Sequence, residues 1–253
     1  MLNVIEYGTQ GALPPVLIAH GLYGSARNWG AIARRLATDR RVLAVDMRNH
    51  GESFQAETHG YDDLAADLAA VVEDRGGRVD LIGHSMGGKA AMMLALGRPE
   101  LVNRLIVGDI SPVTYDHTQL PLAQAMQAMD LDGIDTRAEA DRRLAASVDD
   151  PSVRAFLLQS LDLKGERPRW RLNLPVLERE MPKIMGWPEQ SSTASLPVLV
   201  LAGGNSDYVR PEHRPVIRRL FPEARLAKLP GAGHWLHADQ PREFEATIRA
   251  FFH

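Results

Sequence analysis

Apolar and polar residues follow two rhythms that take turns along this chain. Short β-branched or leucine-rich runs at 2–7, 15–19, 41–45, 79–83, 102–109, 196–201 and 225–229 predict strands. Between them the period lengthens to that of a helix. Residues 61–75 place Leu64, Leu68, Val71 and Val72 at i, i+4, i+7 and i+8, on one helical face. Asp62 and Asp63 fall in the first turn, where negative charge suits the positive end of the helix dipole. Ser25 predicts a cap for a helix reaching about Ala37, and 86–97 is rich in strong helix formers. The last helix has Pro241 in its first turn and aligns Phe244, Ile248, Phe251 and Phe252. Strands alternating with helices predict an α/β fold whose mostly parallel sheet is covered on both faces.

One stretch breaks the alternation. From 111 to 195 the pattern is helical and punctuated by prolines, without a strand signal, yet it lies between two strands of the sheet. It predicts a helical cap (111–195) inserted into a core built from 1–110 and 196–253.

Composition acts mainly by exclusion. The 253 residues suffice for one α/β domain, and 45% hydrophobic with 24% charged residues is ordinary for a globular chain. A net charge of −3 offers no general attraction to nucleic acid. The absence of cysteine excludes disulfides, thiolate metal sites and a cysteine nucleophile. The nine histidines are scattered and form no H-E-x-x-H pattern, so neither metal nor cofactor is expected. No apolar run is long enough to span a bilayer and nothing near Met1 reads as a signal peptide, which predicts a cytoplasmic protein. Oligomeric state leaves no trace in the sequence.

Candidate chemistry centres on Gly83-His84-Ser85-Met86-Gly87, a G-x-S-x-G string between a predicted strand and a predicted helix. The pentapeptide alone occurs by chance in roughly one chain in ten of this length; its placement carries the meaning. A serine on a sharp strand-to-helix turn has its hydroxyl pushed out at the edge of the sheet. Such a nucleophile needs a base, a group that orients the base, and donors for the developing oxyanion. His234, in Gly231-Ala232-Gly233-His234-Trp235, is the candidate base because it comes last in the order Ser, Asp, His. The glycine-rich loop His20-Gly21-Leu22-Tyr23-Gly24-Ser25 is the candidate oxyanion loop. Its donor would be the Leu22 N–H, with Tyr23 as the alternative, joined by the Met86 N–H. Two loops offer an acid: Asp109 in Gly108-Asp109-Ile110-Ser111-Pro112, and Asp207 in Gly204-Asn205-Ser206-Asp207. Residue order alone leaves both open. The inserted segment concentrates Met126, Met129, Trp170, Met185 and Trp187, which with His84 and Trp235 are candidates for an apolar substrate pocket. Methionine thioethers adapt to acyl groups of varied shape.

The strings D-M-R-N-H-G at 46–51, G-H-S-M-G-G-K-A at 83–90, G-G-N-S at 203–206 and G-A-G-H-W-x-H at 231–237 resemble the α/β-hydrolase superfamily. Within it the chain is similar to YbfF-type bacterial esterases and ABHD11-like hydrolases over essentially its whole length. The resemblance implies hydrolysis of carboxylic esters or thioesters, with Ser85 as nucleophile and His234 as base. It favours Asp109 over Asp207 as the acid, because a D-I-x-P string recurs in that family. Two rival readings share the scaffold: a cofactor-free haloperoxidase or C–C bond hydrolase, and a small-molecule receptor with a vestigial triad.

Overall fold

The computed structural model describes residues 1–75 and 77–253. Chain order runs β1 (Val4–Tyr7), β2 (Val16–Ala19), α1 (Gly30–Leu36), β3 (Val42–Val45), α2 (Tyr61–Asp74), β4 (Val79–His84), α3 (Met86–Gly97) and β5 (Val102–Gly108). After α4 (Leu120–Ala128), α5 (Arg137–Leu144) and α6 (Pro151–Leu158) comes a short hairpin of β6 (Leu161–Asp162) and β7 (Arg169–Trp170). Then follow α7 (Leu174–Arg179), α8 (Met181–Met185), β8 (Val198–Gly203), α9 (Arg214–Leu220), β9 (Arg225–Leu229), α10 (Leu236–Asp239) and α11 (Pro241–Phe252).

Seven strands form one sheet in the order β1-β3-β2-β4-β5-β8-β9. Only β1 runs antiparallel; it pairs with β3 at the sheet edge. Alternation along each central strand sends side chains to opposite faces. Val16, Ile18, Val42, Ala44, Ile82 and Ile106 pack with Trp29, Ile32, Phe244 and Ile248 under α1 and α11. Leu17, Ala19, Leu43, Val45, Leu81, Leu105 and Val107 pack on the other face with residues of α2 and α3. The sheet is thus sandwiched between helical layers, which explains why its inner strands read as nearly continuous apolar runs, unlike the edge strands β1 and β9.

Two expectations need correction. The helix expected from Ser25 begins as a 3-10 turn, Ala26–Trp29, before α1. Local partners impose that tight start: Ser25 N–H donates to Asn28 Oδ1 at 2.6 Å and Ala26 N–H to Asp46 Oδ1 at 2.7 Å. The segment expected to hold no strand contains the β6–β7 hairpin, with Leu161 opposite Trp170. Two residues per strand are too few to leave a period-2 signature.

The parallel strands β2, β4, β5, β8 and β9 share a direction, so the loops at their carboxyl ends gather along one rim of the sheet. In open α/β sheets that rim is where ligands bind.

Candidate active site

Ser85 follows the last residue of β4 and precedes the first of α3. Its φ of 53° and ψ of −121° lie in a region that a side chain seldom occupies, the strain expected of a nucleophile elbow. Glycine permits the crowding around it. A Cβ on Gly83 would run into Gly87 O, and one on Gly87 into Ala19 O and His20 O. The sheet ladder reaches past its strands to the functional positions: Ser85 N–H donates to Gly108 O and Asp109 N–H to Leu201 O, both at 2.9 Å.

His234 lies beyond β9, on the loop that leads to α10. Its Nε2 stands 3.1 Å from Ser85 Oγ and its Nδ1 2.8 Å from Asp109 Oδ2. Asp109 is wholly buried and also accepts from Gly203 N–H at 2.8 Å and from Ser206 Oγ at 2.5 Å. Since a carboxylate only accepts, the His234 ring must present Nδ1–H to it, leaving Nε2 free to receive a proton. Asp207 points elsewhere: its side chain is 79% exposed and pairs with Arg210 at 3.4 Å. The structure therefore brings Ser85, His234 and Asp109 together and leaves Asp207 at the surface.

The loop after β2 is held by buried histidines whose partners define their tautomers. His20 donates from Nδ1 to Gly21 O at 2.7 Å and accepts Met47 N–H at Nε2 at 2.9 Å. His50 donates from Nδ1 to Arg48 O at 2.9 Å, and its Nε2 accepts the Tyr23 N–H at 3.1 Å. His59 accepts from the Asn49 amide and directs Nε2 at Met86 Sδ, 3.2 Å away. Each ring donates once and accepts once, which only a neutral imidazole can do. Burial accordingly pushes His20 and His50 below the ordinary histidine range and His59 down to about 3. The D-M-R-N-H-G turn is therefore the scaffold of the glycine-rich loop, a role the turn pattern alone did not disclose. Tyr23 N–H is taken by His50, whereas among the described residues Leu22 N–H and Met86 N–H donate to no protein group.

A cavity of about 230 Å³ opens over Ser85. Of the expected pocket residues, His84, Met185 and Trp235 line it. Met126, Met129, Trp170 and Trp187 do not. Met126 is fully buried inside the inserted segment and the Trp170 indole donates to its carbonyl at 2.8 Å. Met126 belongs to the apolar cluster that runs from the insertion down to the sheet, and Met129, Trp170 and Trp187 pack against that cluster rather than facing the cavity. The wall instead includes Tyr61, Ile110, Tyr115, Phe156, Ile184 and Tyr208, with Trp29 and His237 to one side. His237 stacks on Trp29 at 4.1 Å and is pushed down to about 4, chiefly by burial and then by the nearby His234. His84 is also driven well below its usual range by burial, and its Nε2–H donates to His234 O at 2.7 Å, fixing the loop that carries the base.

Three further residues escaped the sequence reading. Ser206 is the hydroxyl on Asp109, and Tyr208 lies stacked on the His234 ring at 4.0 Å. Lys89 is a buried cation in the cavity wall. The G-G-N-S string at 203–206 contained Ser206, with Tyr208 two residues beyond it, but nothing there distinguishes a hydroxyl aimed at a carboxylate from a turn residue. Among the described residues no cluster of three or more metal-ligating side chains occurs, and no helix is long and apolar enough to cross a membrane.

A seven-stranded sheet with a strained serine at its rim and a histidine-aspartate pair against it defines a class of hydrolases. Family comparison agrees: the model of the alpha/beta hydrolase fold matches residues 14–241. The chain belongs to that family. It is 43% identical to the sn-1-specific diacylglycerol lipase ABHD11 of Mus musculus, over 94% of this chain and 81% of that protein. It is 37% identical to esterase YbfF of Escherichia coli (strain K12), over 93% of this chain and 91% of that one. Among solved structures, a marine microorganism esterase superimposes with a TM-score of 0.94 at 36% identity, covering 99% of this chain and 98% of that chain.

Proposed function

We propose that this protein hydrolyses carboxylic esters through a covalent acyl-enzyme, with Ser85 as nucleophile, His234 as base and Asp109 as the acid that orients it. The observation that carries the reading is the continuous relay from Ser85 Oγ through both His234 nitrogens to Asp109, at 3.1 and 2.8 Å. The relatives named esterase and lipase support ester cleavage as the reaction class.

In this reading His234 Nε2 takes the hydroxyl proton as Ser85 Oγ attacks the acyl carbonyl. The oxyanion forms against the Leu22 and Met86 N–H groups, the two loop donors without a protein acceptor. Asp109 steadies the imidazolium that results without taking its proton. Collapse of the intermediate expels the alcohol, which His234 protonates, and a water activated by His234 then releases the acid. Thioesters pass through the same acyl-enzyme and belong to the same proposal. The segment 111–195 acts as a cap: Phe156 from α6 and Met185 from α8 close the cavity over Ser85. The wall is largely apolar, which suits small to medium acyl groups.

Labelling with a fluorophosphonate followed by peptide mapping tests the assignment. One adduct per chain, on Ser85 and blocked by His234→Ala, is the expected result. Labelling at another residue, or none in folded protein, overturns it.

A further inference from the structure

Lys89 lies one helical turn beyond Ser85, and its backbone N–H donates to Ser85 O at 3.0 Å. The side chain is 1% exposed and lines the cavity. Among the described residues no carboxylate pairs with it. The ammonium donates instead to three backbone carbonyls: Val113 O at 2.8 Å, Met185 O at 3.1 Å and Gly186 O at 2.6 Å. The Tyr115 and Tyr61 rings stand 4.8 and 5.6 Å from Nζ, within cation–π range.

Those carbonyls come from the two roots of the inserted segment. Val113 lies where the chain leaves β5, and Met185 with Gly186 where it leaves α8 on the way back to β8. The roots also hold each other, through Tyr115 N–H to Met185 O at 3.0 Å and Trp187 N–H to Thr114 Oγ1 at 3.2 Å. Tyr61 of α2 adds a bond from its hydroxyl to Ile184 O at 2.5 Å. Packing alone gives no reason for a lysine here, because an apolar side chain of similar volume would avoid the desolvation of a buried cation. The match of donors to acceptors does give one. An ammonium has three N–H donors for three carbonyls; a neutral amine has two.

We propose that Lys89 is a positioning residue that clamps both roots of the cap onto the nucleophile helix and so sets the acyl-chain length the enzyme selects. The inference rests on the ester-hydrolase reading above. Tyr115, Ile184 and Met185, which the clamp holds, form one wall of the cavity that Ser85 opens into. A longer acyl chain packs against that wall, and a short one depends on it less.

The clamp carries a pH signature. Burial pushes Lys89 down to about 7, so its third donor is lost near neutrality. The titratable groups facing Nζ are the phenols of Tyr61 and Tyr115, both pushed up by burial and neutral throughout the working range. Around the exit root, Lys183 and Glu180 are paired with each other at 2.7 Å, and His234 shares the cavity. Taking the ratio of kcat/KM for two acyl lengths cancels any ionisation of the free enzyme that affects both substrates alike.

The experiment measures kcat/KM for p-nitrophenyl acetate and p-nitrophenyl hexanoate from pH 6 to 9 in wild type and Lys89→Met, with Tm recorded for both. The hexanoate-to-acetate ratio is expected to fall in wild type as pH rises through about 7, and to be about tenfold lower and independent of pH in Lys89→Met. A folded variant that keeps the wild-type ratio and its pH profile overturns the clamp and leaves Lys89 a buried packing group. If the variant does not fold, the wild-type ratio decides: a step near pH 7 supports the proposal, and a constant ratio overturns it. If wild type hydrolyses no ester, the functional reading fails separately. Hydrogen exchange of 111–117 and 182–188 in wild type at pH 6 and 8, corrected for intrinsic rates, then decides: lost protection at pH 8 supports the clamp, and equal protection overturns it.

Discussion

Asp109→Asn isolates the geometry on which the proposed mechanism turns. Oδ1 of Asp109 faces Gly203 N–H, which can only donate; Oδ2 faces His234 Nδ1 and Ser206 Oγ, both of which can reverse their roles. An asparagine amide therefore keeps its oxygen toward Gly203 and turns its NH2 toward His234. The histidine answers by moving its proton to Nε2, so the nitrogen facing Ser85 at 3.1 Å becomes a donor and can no longer take the serine proton. Locking that tautomer costs on the order of 10⁴ in kcat, or about 5.5 kcal/mol of barrier, while substrate binding is left nearly intact. Asp207→Asn removes only an exposed pair with Arg210 and should change kcat/KM less than about twofold. The assay is p-nitrophenyl butyrate hydrolysis at pH 7.5, with both variants matched to wild type by circular dichroism and melting curve. An Asp109→Asn enzyme within tenfold of wild type, or an Asp207→Asn enzyme equally impaired, would refute the reasoning.

Other predictions follow from the same contacts. Ser206→Ala strips a charge-assisted bond from Asp109, worth about 1.5–3 kcal/mol, and should lower kcat roughly ten- to a hundredfold with little change in KM; a variant with unchanged kcat would show the hydroxyl to be idle. Gly21→Ala would set a methyl 2.9 Å from His84 Nδ1 and 3.2 Å from Ser85 Cβ, so steady-state rates should drop roughly a hundredfold, seen against a circular dichroism control. For acid pH, His59 at about 3 and His237 at about 4 are depressed from a value near 6.5 in the unfolded chain. The unfolded state then binds more protons below 6.5, so the stability present above that pH is lost progressively on acidification toward 4. Calorimetry should show Tm falling by several degrees between pH 6.5 and 4.5; a flat profile contradicts neutral burial of these rings.

The sheet was legible because buried parallel strands leave apolar runs and the helices between them leave a different period. Strand ends shifted by a residue or two, as at β8, which starts at Val198 rather than 196, because the apolar pattern continues into the flanking loop. That Ser85 and His234 would meet could be read, since a glycine-rich elbow and the residue order both leave marks in sequence. Asp109 and Asp207 could not be separated by the residues themselves: both follow a strand, and only the sheet order, with β8 beside β5, puts one carboxylate under His234 and the other in solvent. The pocket wall was the least legible part. Met126 and Met185 sit in similar apolar helices, but the first is buried in the shared apolar core and the second faces the cavity, a difference decided by tertiary packing. Lys89 stands in the G-H-S-M-G-G-K-A string, but nothing there disclosed its role, because a lysine early in a helix reads as a solvated side chain until its surroundings are known.

Turnover of a p-nitrophenyl ester series from acetyl to decanoyl, by wild type and Ser85→Ala side by side, tests the central claim most directly. The account predicts activity that peaks at one small to medium chain length in wild type and is lost at every length in the mutant. Equal turnover by the two proteins, or none from wild type across the whole series, would contradict it.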